Sequence, residues 1–138
     1  MLRATVAALI VFSSANAAAQ QMEPGEWQFD TTMTSPMLSK PQVGSFTRCV
    51  KPEEAGDPAK LMEKQQEQSD CTVTPGKKSA DTYTWEMSCP KSGMQGRGSA
   101  RYGRGMLETE MRMSGELQGR KFDVTTKTSG RRLGPCKS

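Results

Sequence analysis

The chain has 138 residues, a formal net charge of +4, four cysteines and no histidine. That length is one domain's worth, and the missing imidazole removes the usual proton relay, thiolate activator and zinc ligand. Hydrophobic residues make up 34% and aromatics 6% of the chain, which leaves a small domain marginal on burial alone.

The N-terminus carries Arg3, an apolar run from Val6 to Phe12, and small residues ending in Ala17-Ala18-Ala19. This is the pattern of a secretory signal peptide, with cleavage expected after Ala19 or, alternatively, Ala17. The run is too short to cross about 30 Å of hydrocarbon, which takes roughly 20 residues. The expected organisation is a signal peptide over 1–19 and a single disulfide-stapled β domain over 20–138, exported and not membrane-spanning.

In "GEWQFDTTMT", Trp27, Phe29, Thr31 and Met33 alternate with Gln28, Asp30, Thr32 and Thr34, the period of a half-buried strand. Pro36 and Pro41 break the following segment into a loop. "VGSFTRCV" reads as a second, weaker strand. "KPEEAGDPAKLMEKQQEQ" is the one helical piece, with Asp57 as its cap, Pro58 at its first position, and Leu61 and Met62 as apolar anchors.

"CTVTPGKKSADTYTWEMSC" reads as two strands around a Pro-Gly turn, with Tyr83, Trp85, Met87 and Cys89 on one face. An even number of cysteines in a short exported chain points to disulfides; no C-x-x-C pair supports a metal site. Four cysteines allow three connectivities. The hairpin sets Cys71 against Cys89 and leaves Cys49 to bridge Cys136.

Three more strands follow, separated by the turns "GRG" and "GELQG". Met94, Gly96, Gly98, Ala100 and Tyr102 share one face of the first. Leu107, Thr109, Met111 and Met113 share a face of the second, and Phe122, Val124, Thr126 and Thr128 a face of the third. The fold class is mainly β: an antiparallel meander of about seven strands forming a strongly curved sheet or half-barrel, with one short helix and two disulfides.

The landmarks "PGEW", "RCVKPEEAGDP", "DC", "TYTWEMSC", "GMQGRGSARY", a Met-rich strand and "GRRLGPC" occur in that order. Together they resemble the small exported bacterial proteins of domain-of-unknown-function family 3617, over nearly the whole chain from Pro24 to Cys136. Glu26 and Pro135 depart from the family pattern, where an apolar and an acidic residue are commoner. The resemblance implies the four-cysteine framework and an envelope location in Gram-negative bacteria; with the signal peptide, the expected location is the periplasm. The resemblance implies no activity and no catalytic residue.

Several side chains suggest chemistry. Trp27, Trp85, Tyr102 and Phe122 would line a concave apolar face able to hold a lipid, a hydrophobic small molecule or an extended peptide. Met111 and Met113 are weak Cu(I) candidates, although methionine also fills cores short of leucine and isoleucine. Residues 91–138 hold eleven Lys and Arg against four Asp and Glu, and Arg97 and Arg101 share a strand face from which they could contact anions. Glu108 and Glu110 interrupt that patch. Export argues against nucleic acid as a partner. No pairing of acid and base, nucleophile and relay, or glycine loop and phosphate is present, so the expected function is non-catalytic and needs no cofactor. The leading reading is a binding module; the alternative is an envelope structural or interaction protein, and the third is Met-based Cu(I) handling.

Overall fold

The structure, a computed structural model, describes residues 22–57, 60–61 and 70–137. Seven strands run in chain order: β1 (Gly25–Thr34), β2 (Gln42–Val50), β3 (Thr72–Lys78), β4 (Thr82–Cys89), β5 (Met94–Tyr102), β6 (Met106–Leu117) and β7 (Arg120–Gly134). A short helix, α1 (Pro52–Ala55), follows β2. The spatial order is β2-β1-β7-β6-β5-β4-β3, and every neighbouring pair is antiparallel. All pairs but one join consecutive strands; β1 with β7 brings the two ends of the sheet-forming chain together. The sheet stays open between β2 and β3.

Alternation decides the faces. On β1, Trp27 and Phe29 are buried while Asp30 is exposed; on β4, Tyr83, Trp85 and Cys89 are buried while Thr84, Glu86 and Ser88 are exposed. The register then stacks apolar residues of separate strands on one side. Trp85 lies beside Gly98, which lies beside Met111; Met87 lies beside Gly96, which lies beside Met113. The two glycines leave room for what flanks them. A side chain at Gly98 would collide with the Trp85 indole, and one at Gly96 with the Met113 thioether.

The core sits at one end of the apolar face. Trp27, Val50, Ala55, Tyr83 and Tyr102 are buried there with Met22, and Phe29, Leu61, Trp85 and Leu107 continue the same buried cluster along the face. Polar atoms at the packed end find partners, as buried polar groups must: Trp27 Nε1 donates to the Glu23 carbonyl at 3.0 Å, and the Tyr102 hydroxyl to the Ser79 carbonyl at 3.4 Å. Glu54 on α1, 1% exposed, accepts from Arg48 Nη2 at 2.7 Å and from the Lys51 backbone N–H at 3.0 Å.

Both expected disulfides are present. Cys71–Cys89 ties the entry of β3 to the end of β4, and Cys49–Cys136 ties β2 to the tail beyond β7, across β1.

Three details differ from the sequence reading. Pro75-Gly76 is not the turn of the cysteine hairpin; it lies within β3, and the chain reverses over residues 79–81, where Ser79 N–H donates to the Thr82 carbonyl at 2.9 Å. A proline fits there because β3 is an edge strand and shifts register between Pro75 and Lys78. The hydroxyl of Thr84 accepts from the Lys77 N–H at 2.8 Å across that irregularity. The "GELQG" turn narrows to Gln118-Gly119, with φ of 52° and 76°. Two left-handed residues make a hairpin that matches strand twist, so Leu117 pairs with Arg120 directly. Finally, a separate short helix, α1 over Pro52–Ala55, precedes the expected cap; Gly56 and Asp57 are not helical, and Lys60 N–H donates to the Asp57 carbonyl at 3.0 Å. Lys60 and Leu61 are helical; Pro58 and Met62, assigned to the same helix, lie outside the described residues.

Candidate functional site: an apolar cleft in the open sheet

Beyond the packed end, the apolar face does not fill itself. It encloses a cleft of about 410 Å3, within the range of roughly 300–1,000 Å3 usual for small-ligand sites. Phe29 of β1 and Phe46 of β2 form one wall, their rings stacked with centroids 5.2 Å apart. Trp85 and Met87 of β4 form the other. Leu107, Met111 and Met113 of β6 make the floor, and Leu61 contributes from the connection after α1. The hydroxyls of Thr31, Thr109, Thr126 and Thr128 add a polar stripe; Thr31 and Thr128 share a hydrogen bond of 3.2 Å. Arg48 is the one charged side chain among the described lining residues, and its guanidinium is held by the buried Glu54 carboxylate.

One donor on this wall is unpaired. The Trp85 indole N–H is buried and has no hydrogen-bond partner among the described residues, a condition that costs about 1–3 kcal/mol.

The opposite face carries a charge ladder. Arg101 pairs in register with Glu108, Glu110 with Lys127, and Arg97 stands between Glu86 and Arg112. Glu110 accepts from Arg112 Nε at 2.7 Å and lies 3.7 Å from Lys127 Nζ. The bond from Arg112 is the main cause holding the Glu110 carboxyl below its ordinary range. Asp30 is likewise lowered, first by the hydrogen bond from Ser45 and then by that from Gln28. Hollows of about 720 and 780 Å3 lie along this face. They are larger than the cleft but are walled mainly by Thr, Ser and charged side chains, where a ligand gains little from leaving water; the apolar cleft is the better candidate.

The residues singled out in the sequence separate in space. Trp85 lines the cleft. Trp27 and Tyr102 belong to the same buried cluster as Trp85 but are not among the residues lining the cleft. Phe122 lies beyond the cleft, opposite Gly115 of β6. Arg97 and Arg101 share the wet face, each beside an acidic residue in the neighbouring strand. Met111 and Met113 come together on the cleft floor, and Met87 joins them. Sequence reasoning missed Phe29, Phe46, Met87 and Leu107 as cleft residues. Alternation put Phe29, Met87 and Leu107 on the apolar face, but only strand order tells which apolar residues pack and which face space. Phe46 had a weaker signal still, because β2 alternates poorly.

Residues 22–136 match the family described as a protein of unknown function (DUF3617). The chain belongs to this family. No curated protein and no solved structure matches it. Within this DUF3617 protein, the described residues include no group of three Asp, Glu or Cys placed to hold a metal ion, and no described helix is long and apolar enough to cross a membrane. The two disulfides fit an oxidising, extracytoplasmic compartment.

Proposed function

We propose that this DUF3617 protein is an exported, non-catalytic binding module whose apolar cleft takes a lipid or another hydrophobic small molecule. The observation that carries this is the unfilled space between the Phe29–Phe46 wall and the Trp85–Met87 wall. Thioether side chains on the floor suit a flexible apolar ligand, because methionine re-packs at little cost. A ligand oxygen would satisfy the Trp85 N–H. The signal-peptide pattern over residues 1–19 and the disulfides support a periplasmic location.

Native mass spectrometry of the protein purified from periplasm without chelators tests the reading. A stoichiometric organic adduct is expected, together with a chain four hydrogens lighter than its reduced form. Met111→Glu should lose the adduct and keep both disulfides. A bare wild-type chain that also fails to bind a fluorescent fatty-acid probe overturns the proposal. A second reading has one observation in its favour: Met87, Met111 and Met113 present three thioethers to one space, a donor set that suits Cu(I). A copper adduct in place of the organic one selects it.

A further inference from the structure

Among the described residues β2 and β3 have no strand on their outer sides, and these two edges are built differently. β3 carries the usual protections against pairing with another chain: seven residues only, Pro75, a register shift, and Lys77 and Lys78. β2 carries none of them. It pairs with β1 over nine consecutive positions without a shift, holds no proline, lysine or acidic residue, and is exposed from Gln42 through Thr47. Its exposure includes Val43 at 80% and Phe46 at 47%. A regular, partly apolar edge whose one charge, Arg48, is held by Glu54 is a template for a further strand.

We propose that β2 pairs with β2 of a second copy of this chain, antiparallel about a two-fold axis at Ser45. The sequence of the edge is self-complementary in that register. Ser45 faces Ser45 of the copy, Gly44 faces Phe46, Val43 faces Thr47 and Gln42 faces Arg48. The space beside Gly44 is empty, with no atom within 4 Å of where a side chain would start. The half-exposed ring of Phe46 from the copy fits there, as aromatic residues cover strand glycines across a sheet. The only charge on the strand, Arg48, meets glutamine and not its own twin, so no like charges oppose each other. The pairing has natural stops: Pro41 precedes the edge and α1 begins at Pro52. Isologous two-fold contacts of this kind are the commonest route to homodimers. The inference rests on the backbone edge and not on what the cleft binds, although Phe46 belongs both to this edge and to the cleft wall.

All four native cysteines are in disulfides, so an added cysteine is the only thiol. In sedimentation velocity, the oxidised wild-type protein is expected to move from the mass of one chain to that of two as concentration rises. Ser45→Cys should form a disulfide-linked dimer several-fold faster than Val43→Cys, whose neighbour in the copy is Thr47. A mixture of Val43→Cys and Thr47→Cys should link as the heterodimer; this pair keeps the test decisive if replacing Ser45, which bonds Asp30, harms folding. A single-chain mass at every concentration overturns the proposal, as does equal linking of Val43→Cys and Ser45→Cys. Protection of β2 amides from exchange only when an extended peptide is added overturns it in favour of that occupant.

Discussion

The indole of Trp85 occupies the space that a side chain at Gly98 would enter. The two residues are register partners on β4 and β5, and the pairing sets the height of the cleft wall. Overpacking of this kind costs about 1–3 kcal/mol. Gly98→Ala is therefore expected to lower the thermal midpoint by several degrees. Gly105→Ala, where no atom lies within 4 Å, should stay within about 0.5 kcal/mol of wild type. Equal effects at the two sites would contradict the contact.

The disulfides should differ in weight. Cys49–Cys136 spans 87 residues and Cys71–Cys89 spans 18. The chain-entropy view assigns about 4.5 kcal/mol to the long loop and about 3 kcal/mol to the short one. Urea unfolding of the Cys49→Ser/Cys136→Ser double variant should show the larger fall in midpoint. A larger fall for Cys71→Ser/Cys89→Ser would show that strain or local hairpin structure outweighs loop length.

Glu54 and Arg48 form a pair of unequal burial, with side chains 2% and 30% exposed. Removing one member of a buried pair strands its partner, so Glu54→Ala should cost about 3 kcal/mol, the low end for such losses because Arg48 keeps some water. Replacing both with leucine and methionine should recover part of that loss. Chemical denaturation of the single and double variants measures it, and a double variant worse than Glu54→Ala would contradict the account.

The acid side of the stability profile should depend on the charge ladder. The Glu110 carboxyl is held below its ordinary value of 4.5 in the folded chain. Its contribution is therefore present above that value and fades as pH falls through the lower folded pKa, because the unfolded chain takes up the proton first. The group is solvent-exposed, so the effect is small and salt-sensitive. Thermal midpoints measured from pH 6 down to pH 3 should fall less steeply for Glu110→Gln than for wild type, and high salt should narrow the gap. Parallel curves would show that other carboxylates carry the acid sensitivity.

Strand number, faces and cysteine pairing were legible in the sequence because they follow from local rules. The period-two pattern of Trp27, Phe29, Tyr83, Trp85, Leu107 and Met111 assigns them to one side of a strand wherever the strand goes. The hairpin that aligns Cys71 with Cys89 is likewise local, and it leaves one partner for Cys49. Turn chemistry was less reliable. Pro75-Gly76 has the composition of a reversal, yet it sits inside β3, where an edge strand tolerates a missing N–H. The last third of β7 was hidden because Gly130, Arg131 and Arg132 carry no apolar alternation; pairing with β1 holds them in the sheet.

The site was another matter. Trp27, Trp85, Tyr102 and Phe122 are equivalent by alternation, and tertiary structure divides them among a packed end, a cleft wall and a distal position. The pairing of β1 with β7 brings Phe29 and Phe46 to face Trp85 and Met87 across the cleft, and makes β2 and β3 the free edges. By itself the sequence determined that this chain is an antiparallel sheet with one apolar face and two disulfide pairs, because side-chain alternation and hairpin register act between near neighbours. Only the tertiary structure decided where that face packs and where it stays open, because this depends on strands nearly a hundred residues apart meeting in one register.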